Sequence, residues 1–311
     1  MSFDSRKIAI IGFGEVGTRF SKELVATGLK DVTVFDILLS DPVVRQRMAA
    51  TAKANGVSIA YSAVEAARDA KIIFSAVTAT SAYDVAIQAG GYLQPGQIFV
   101  DLNSVSPSTK RKDAVAVEKS GAAYVEAAVM SPIQPYGIKV PITLGGRASA
   151  EVKELLGATG MKLTVGVDEI GRASALKMCR SVMVKGFEAL AAECLLAARL
   201  YGVEEEVLES LQRSYPGLNW EEFAGYKIGR LLEHGRRRAA EMRESAETVA
   251  EAGITPVMTS AIAERIDWVA DCVDQFPALR HAPDAEWRKS LDQIAAIHQL
   301  QKMCDAKEAA E

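Results

Sequence analysis

Several residue types and patterns are scarce in this chain of 311 residues, and each scarcity excludes a class of protein. Its four cysteines lack CxxC spacing and its three histidines do not cluster, so we predict no bound metal and no disulfide framework. The 36 basic and 40 acidic residues give a net charge of -4, which argues against a nucleic-acid-binding protein. Aromatic residues make up only 6%, so the cores must be built from aliphatic side chains.

Long apolar runs are also missing. The most apolar helical stretch, Phe187–Val203, is interrupted by Glu188, Glu193 and Arg199, and stays below the ~18 apolar residues that a membrane span needs. At the N-terminus, residues 4–6 lead straight into a strand-like run, without the pattern of a signal peptide. We therefore expect a soluble, cytoplasmic protein that does not contact a membrane.

The residues that are present predict two domains. A domain typically holds roughly 100–200 residues, so the length suits two. Up to Val167, short runs rich in Val, Ile and Phe alternate with amphipathic segments, which predicts an α/β domain with a doubly wound, parallel Rossmann sheet over residues 1–167. The predicted strands are Lys7–Ile11, Val32–Asp36, Ser58–Tyr61, Lys71–Ala76, Gln97–Asp101, Ala123–Glu126 and Pro141–Leu144.

After Val167 the strand signal stops. Asp168 is predicted to cap a long interdomain helix that runs to about Leu200, and Asn219 is predicted to cap another. Residues 168–311 should therefore form an all-helical domain, which we expect to serve substrate binding and dimerisation.

The first chemical motif stands at the N-terminus. The strand Lys7–Ile11 runs into GFGEVG, residues 12–17, which has GxGxxG spacing and opens a helix. Gly12 permits a tight turn, Gly14 lets the backbone approach a pyrophosphate, and Gly17 lets the helix pack against the strand. Free N–H groups at the helix N-terminus favour phosphate. We therefore predict a dinucleotide site that includes Gly12, Phe13, Gly14, Glu15, Val16 and Gly17.

Asp36 ends the second predicted strand, 19 residues past Gly17, where an acidic residue accepts hydrogen bonds from ribose hydroxyls. Its charge would repel the 2′-phosphate of NADP, and residues 37–39 offer no arginine. NAD is therefore the expected cofactor, with NADP the weaker candidate.

The second chemical motif lies on the long helix. Ser174, Lys177 and Ser181 are spaced three and four residues apart, which places them on one helix face. That face also carries Ile170 and Val184, so we expect it to be largely apolar. By itself, this position of Lys177 has two interpretations. The side chain could be ion-paired or extend to solvent, or it could transfer a proton in a cleft.

Three motifs in order resemble the β-hydroxyacid dehydrogenase superfamily, which includes the 3-hydroxyisobutyrate and 6-phosphogluconate dehydrogenases. They are GFGEVG at residues 12–17, DLNSVSP at 101–107, and Gly171 followed six residues later by Lys177. The resemblance covers about two-thirds of the chain. Beyond it, SYPGLNW at 214–220 and HGRRR at 234–238 resemble a branch with its own helical C-terminal domain.

The resemblance implies a role for each motif. Lys177 would be the general acid/base, taking a proton from a 3-hydroxyl as hydride leaves the same carbon, and Arg180 could help to lower its pKa. Val77, Thr78 and Asn103 would line the nicotinamide ribose. The implied substrate contacts are Ser104, Met130, Ser131, Pro132, Ser174 and Ser181.

Two departures from the family pattern bear on the substrate. Relatives usually read DAPVSGG where this chain reads EAAVMSP at residues 126–132, so the glycine pair that cradles a carboxylate is missing. Ser181 replaces an asparagine, with one fewer donor hydrogen. With Met130, Ile133, Tyr136 and Met178, these changes favour a bulkier or more apolar substituent on a 3-hydroxy acid or related alcohol.

The basic run His234–Arg238 has two interpretations. It could supply an anion-binding side chain to the active site, within its own chain or across a dimer. The alternative, which we favour, is a solvated helix face paired with Glu233, Glu241 and Glu244.

The leading hypothesis is an NAD-dependent oxidoreductase acting on the 3-hydroxyl carbon of a 3-hydroxy acid, a related alcohol, or the matching carbonyl compound. It would work on a small molecule as a homodimer or larger homo-oligomer. Oxidative decarboxylation and a non-catalytic NAD-binding sensor are the alternatives. Imine reduction is less favoured, since related imine reductases usually lack the lysine.

Overall fold

A computed structural model describes residues 7–308. The outermost parts of the two predicted domains, residues 1–6 and 309–311, lie outside the described residues. The chain forms two compact units, of which the first ends at Met178 and the second begins at Cys179. One long helix contributes residues to both units.

The first unit is built on an eight-stranded sheet in the order β3-β2-β1-β4-β5-β6-β7-β8. Neighbouring strands pair in parallel except β6 and β7, which are antiparallel. The reversal of strand order at β1 is that of a doubly wound dinucleotide-binding sheet. The strands are β1 Lys7–Ile11, β2 Asp31–Phe35, β3 Ser58–Ile59, β4 Ile72–Ser75, β5 Ile98–Asp101, β6 Ala123–Val129, β7 Ile142–Gly145 and β8 Leu163–Val165.

Burial explains the continuous apolar character of the central strands. Every residue of β4 and β5 is buried, and so are the last four residues of β1, because helices cover both faces of the sheet. One core cluster lies on each face, with Phe20 and Phe74 in one and Phe99 and Tyr124 in the other. The covering helices are α1 Glu15–Ala26, α2 Pro42–Asn55, α3 Ala63–Ala67, α4 Ala82–Tyr92, α5 Pro107–Glu118, α6 Ile133–Tyr136 and α7 Ser149–Leu156.

The fold class expected from the sequence is confirmed, and three details differ. Strand β8 was not among the predicted strands. Strand β7 is antiparallel to β6, so the sheet is not parallel throughout. The prediction that Asp168 caps the long helix is wrong, because α8 begins at Arg172, directly after Gly171, whose φ of 101° lies in the left-handed region.

The second unit is helical, and no strand occurs within residues 179–308. Its helices are α8 Arg172–Tyr201, shared with the first unit, α9 Glu204–Ser214, α10 Trp220–Glu251, α11 Val257–Gln275 and α12 Trp287–Glu308. Asn219 caps α10 by accepting the Glu222 N–H at 3.2 Å, as predicted. Helix α10 is interrupted at His234, where φ is -129°. Among the described residues, no helix is both long and apolar enough to cross a bilayer.

Candidate active site

Most of the predicted site residues follow the carboxyl ends of five adjacent parallel strands. In the spatial order β2, β1, β4, β5 and β6, the chain leaves each strand at the same edge of the sheet. Ligands of doubly wound sheets bind at this edge, beside the point where strand order reverses. The residues brought to this edge are Asp36, Gly12–Gly17, Val77, Thr78, Asn103, Ser104, Met130, Ser131 and Pro132.

The glycine loop between β1 and α1 is closed where the chain turns and open where a phosphate would lie. A Cβ on Gly12, whose φ is +99°, would stand 2.3 Å from the Ala76 carbonyl oxygen, and one on Gly17 would stand 1.9 Å from the Gly12 carbonyl oxygen. No atom of the described residues lies within 4 Å of the corresponding point on Gly14. No side chain caps α1 either, so its first-turn N–H groups face this open space. The loop fits a pyrophosphate.

Asp36 holds this loop against the end of β2. One carboxylate oxygen accepts the Phe13 N–H at 2.7 Å and the other accepts the Leu38 N–H at 2.9 Å. Both oxygens keep a free lone-pair direction, so hydrogen bonds to ribose hydroxyls remain available. Arg45 donates hydrogen bonds to the carbonyls of Leu39 and Ser40, in the turn that follows Asp36.

The side chain of Asn103 connects the ends of β4 and β5. Its oxygen accepts the Val77 N–H at 2.8 Å, and its amide nitrogen donates to the Ser75 hydroxyl at 2.9 Å. Asn103 is buried and thus already engaged within the protein. Thr78, by contrast, is exposed at the same edge and pairs with the hydroxyls of Thr80 and Ser81.

A buried network of charged and polar side chains holds the turn that contains Asn103. The Asp101 carboxylate accepts the Asn103 N–H at 2.9 Å, the Tyr124 hydroxyl at 2.6 Å and the Lys110 ammonium at 2.8 Å. Burial and the neighbouring Asp101 raise the pKa of Tyr124 well above its usual range. Tyr124 therefore remains a neutral hydrogen-bond donor and the network is fixed in one arrangement.

The first turn of α8 is held by Glu126, a residue in the middle of β6. The fully buried Glu126 carboxylate accepts the N–H groups of Gly171 at 2.8 Å, Ala173 at 3.1 Å and Ser174 at 3.1 Å. A carboxylate at this position neutralises the positive end of the helix dipole and satisfies three N–H groups that lack partners within the helix. Sequence reasoning missed this role, because the cap comes from a strand 45 residues before the helix.

Lys177 lies one turn beyond that anchored end. Its ammonium donates a hydrogen bond to the Ser104 hydroxyl, which follows β5. Lys177 is half-buried, and the structure thus brings the predicted proton-transfer residue to the sheet edge that carries the glycine loop. Ser174 is buried and donates its hydroxyl to the Gly171 carbonyl at 3.0 Å, so it takes part in the anchoring of α8.

The segment after β6 is fixed to the helix that follows the glycine loop. Met130 pairs with β7 through its N–H and the Pro141 carbonyl at 2.9 Å. Further along, the Ile138 N–H donates to Glu23 of α1 at 2.9 Å. Ser131 is half-buried and Pro132 is exposed, so both stand open at the edge of the sheet.

Ser181 belongs to the second unit. Its buried hydroxyl accepts the Lys185 ammonium at 3.1 Å. The expectation of a largely apolar face is wrong, because Lys185 and Glu188 continue the face as buried charged residues, and Ile170 precedes the helix. These buried charges are tolerated because each has a partner on α10, at Glu241 and Arg238.

The basic run of α10 contains two kinds of arginine. Arg236 and Arg237 are exposed and pair with acidic side chains, Arg237 with Glu241 at 2.8 Å, as the solvated-face interpretation expects. Arg238 departs from it, because this side chain is buried. Burial and neighbouring arginines lower the pKa of His234 to about 4, which keeps the imidazole neutral at pH 7.

Comparison with known protein families agrees with this architecture. The family model of the NAD binding domain of 6-phosphogluconate dehydrogenase matches residues 7–166. A domain of unknown function, DUF1932, matches residues 198–269 of the helical part. The first unit is therefore an NAD-binding domain.

Solved structures extend the likeness to as much as 94% of this chain. A conserved hypothetical protein of Sinorhizobium meliloti is 36% identical, with a TM-score of 0.73 over 94% of this chain and 98% of that one. A conserved protein of unknown function, described as structurally similar to 3-hydroxyacid dehydrogenases, is 32% identical, with a TM-score of 0.66 over 89% of this chain and 100% of its own. An NAD-dependent L-serine dehydrogenase of Pseudomonas aeruginosa is 26% identical over 69% of this chain and 72% of its own.

Proposed function

This chain belongs to the family of the NAD binding domain of 6-phosphogluconate dehydrogenase, and from that membership we propose that it is an NAD-dependent dehydrogenase of a 3-hydroxy acid or related alcohol. The reverse reaction, reduction of the matching carbonyl compound, uses the same groups. Relatives whose names state an activity, such as the L-serine dehydrogenase, support a CH–OH substrate.

The observation that carries the proposal is the hydrogen bond between the Lys177 ammonium and the Ser104 hydroxyl. It brings the Lys177 side chain, the proposed proton-transfer group, beside a polar side chain at the sheet edge where a dinucleotide would lie. The buried Glu126 carboxylate fixes the helix that bears Lys177, so the lysine is held in position by the first unit itself. A general acid/base needs such placement before its pKa matters.

The residues divide the chemistry between binding and proton transfer. The glycine loop, Asp36, Val77, Thr78 and Asn103 would hold NAD, which supplies the hydride acceptor when it is bound. In the oxidative direction, the Lys177 side chain takes the proton of the substrate hydroxyl as the C–H bond releases hydride. The carbonyl product leaves, and Lys177 returns its proton to solvent.

We propose that the substrate carries an apolar substituent larger than that of the small dicarboxylic hydroxy acids. Pro132, at the edge of the sheet, has no N–H group with which to bind a carboxylate. Met130 adds an apolar surface at the same sheet edge. Equal turnover of small dicarboxylic and alkyl or aromatic 3-hydroxy acids would overturn this assignment.

The proposed reaction is tested by a panel of 3-hydroxy acids assayed for NADH formation. Lys177→Ala should lower kcat by about 10²–10⁴-fold, which is the usual contribution of a general acid/base, while NAD affinity stays unchanged. Lys119→Ala, at an exposed lysine of the same unit, is the matched control. Undiminished turnover in Lys177→Ala would refute the mechanism.

The other candidate functions give distinct results in the same assay. Release of CO₂ together with NADH would identify oxidative decarboxylation. NAD binding without turnover of any substrate in the panel would favour a sensor.

We also propose a homodimer that pairs through α8. Met183, Phe187 and Leu190 of this helix are 61%, 42% and 55% exposed and are spaced four and three residues apart. Large apolar side chains repeating in this way form a self-complementary stripe that a second copy of the helix would cover.

A further inference from the structure

The interruption of α10 at His234 lets two arms of one helix approach the same residue of α8. Arg238, on the arm after the interruption, forms a buried ion pair with Glu188. Lys227, on the arm before it, also lies within the electrostatic influence of Glu188. Glu188 is thus a shared negative centre within the second unit, and its two oxygens are already bound by Arg238.

The other buried carboxylate nearby is used in the same way. Glu241 pairs with Lys185 at 3.0 Å and with Arg237 at 2.8 Å. Glu188 and Glu241 therefore already form ion pairs with cations other than Lys227.

Lys227 is the cation that remains. The residue is only 8% exposed, and no carboxylate in residues 7–299 forms an ion pair with its ammonium. The ammonium instead lies over the rings of Phe223 and Tyr226, 5.2 Å and 5.5 Å from their centroids. Cation–π contacts of this kind compensate only part of the cost of removing an ammonium from water.

The surroundings of Lys227 are positive. Burial and the guanidinium groups of Arg238, Arg180 and Arg230 lower the pKa of Lys227, against the opposing effect of Glu188. An anion bound at this point would relieve the repulsion and supply the missing partner. Part of the Lys227 side chain still reaches solvent, since the residue is 8% exposed.

We propose that Lys227, together with the exposed Arg180, binds the carboxylate of a small organic acid in the second unit. The rings of Phe223 and Tyr226 would flank the apolar part of that acid. A monoanion is favoured over a phosphate dianion, since the nearby negative charge of Glu188 opposes a second negative charge. The site would exist whether or not Lys177 transfers a proton, so the inference goes beyond the proposed function.

Calorimetric titration of the full-length protein tests the site, with butyrate and 3-phenylpropionate as probes. Both should bind saturably, 3-phenylpropionate more tightly, while butyramide and inorganic phosphate should bind at least about tenfold more weakly. Lys227→Met should raise the Kd of butyrate by at least about tenfold. Lys289→Met removes an exposed lysine from α12 of the same unit and should leave the Kd unchanged.

Further variants keep the test decisive if Lys227→Met does not fold. Arg180→Gln alters an exposed side chain and should weaken butyrate binding by about threefold or more, whereas Lys227→Arg should preserve it. Binding should also persist in Lys177→Ala, which separates this site from the proposed catalytic one. The inference is overturned if butyramide binds as well as butyrate, if neither acid binds saturably, or if either Arg180→Gln or a folded Lys227→Met binds butyrate like the wild type.

Discussion

Replacement of Glu126 by glutamine should displace Lys177 without altering the lysine itself. The Glu126 carboxylate accepts three N–H groups from the start of α8, two on one oxygen and one on the other. Glutamine has nearly the same shape, but its amide nitrogen would face the Ser174 N–H as a second donor. The substitution therefore removes the negative charge and one hydrogen bond. It also leaves two buried donors, the glutamine amide and the Ser174 N–H, facing each other.

The size of the effect follows from these losses. A hydrogen bond to a charged group contributes about 1.5–3 kcal/mol, and an unsatisfied buried donor costs about 1–3 kcal/mol. Part of this is recovered because the glutamine oxygen still accepts two N–H groups, so we expect a destabilisation of about 2–4 kcal/mol. For a unit of this size the Tm should fall by roughly 5–15 °C.

The catalytic consequence is a separate measurement. Misplacement of a reacting group by about 1 Å lowers rates by about 10²-fold, so kcat in Glu126→Gln should fall at a temperature where the protein remains folded. NAD affinity should be preserved, because the glycine loop does not contact Glu126. Glu126→Asp, which keeps the charge, should recover part of the rate.

Glu151→Gln provides the matched control, since it alters a half-exposed carboxylate of α7 that pairs with Lys71. It should change neither Tm nor kcat measurably. If Glu126→Gln matches the wild type in both, then Glu126 does not position Lys177 and the reasoning fails.

Three further predictions concern cofactor choice, assembly and acid stability. Asp36→Ser should remove a repulsion of about 1–2 kcal/mol toward a 2′-phosphate, raising the ratio of kcat/KM for NADP over NAD by roughly five- to thirtyfold; an unchanged ratio would contradict the role of Asp36. Met183→Asp should convert the dimer to monomer in sedimentation velocity, whereas a monomeric wild type would refute the α8 interface. The pKa of His234 is about 4 in the folded protein, below its usual 6.5, so the unfolded chain binds a proton first and stability falls as the pH drops from about 6.5 to 4. His234→Gln should therefore lose about 2 kcal/mol less stability than the wild type between pH 7 and pH 5, as measured by urea denaturation, and an equal loss would exclude a buried neutral imidazole.

The alternation of apolar runs with amphipathic segments was enough to predict the doubly wound sheet, and most strand positions agree within two residues. Local signals explain this success, because the buried strands and the N-caps Asp41 and Ser106, each followed by a proline, depend on a few neighbouring residues. Strand β8 was missed because it has three residues and only one of them is buried.

In the candidate site, too, the features predicted from sequence are those that depend on neighbouring residues. Motif spacing alone indicated the glycine loop, Asp36 and the face of α8 that bears Lys177, since each depends on residues close in sequence. Sequence also determined that the helix after Gly171 carries a lysine and two serines on one side.

Only the tertiary structure decided what holds those groups. The start of α8 is fixed by Glu126, the lysine by Ser104, and the buried charges of the same helix by Arg238 and Glu241 of α10. These partners lie on other elements, tens of residues away, and no local periodicity encodes which of many acidic or basic residues will meet. A buried charge is stable only where the fold brings a partner to it. The sequence therefore predicted Lys177, but only the tertiary structure determined which residues surround it.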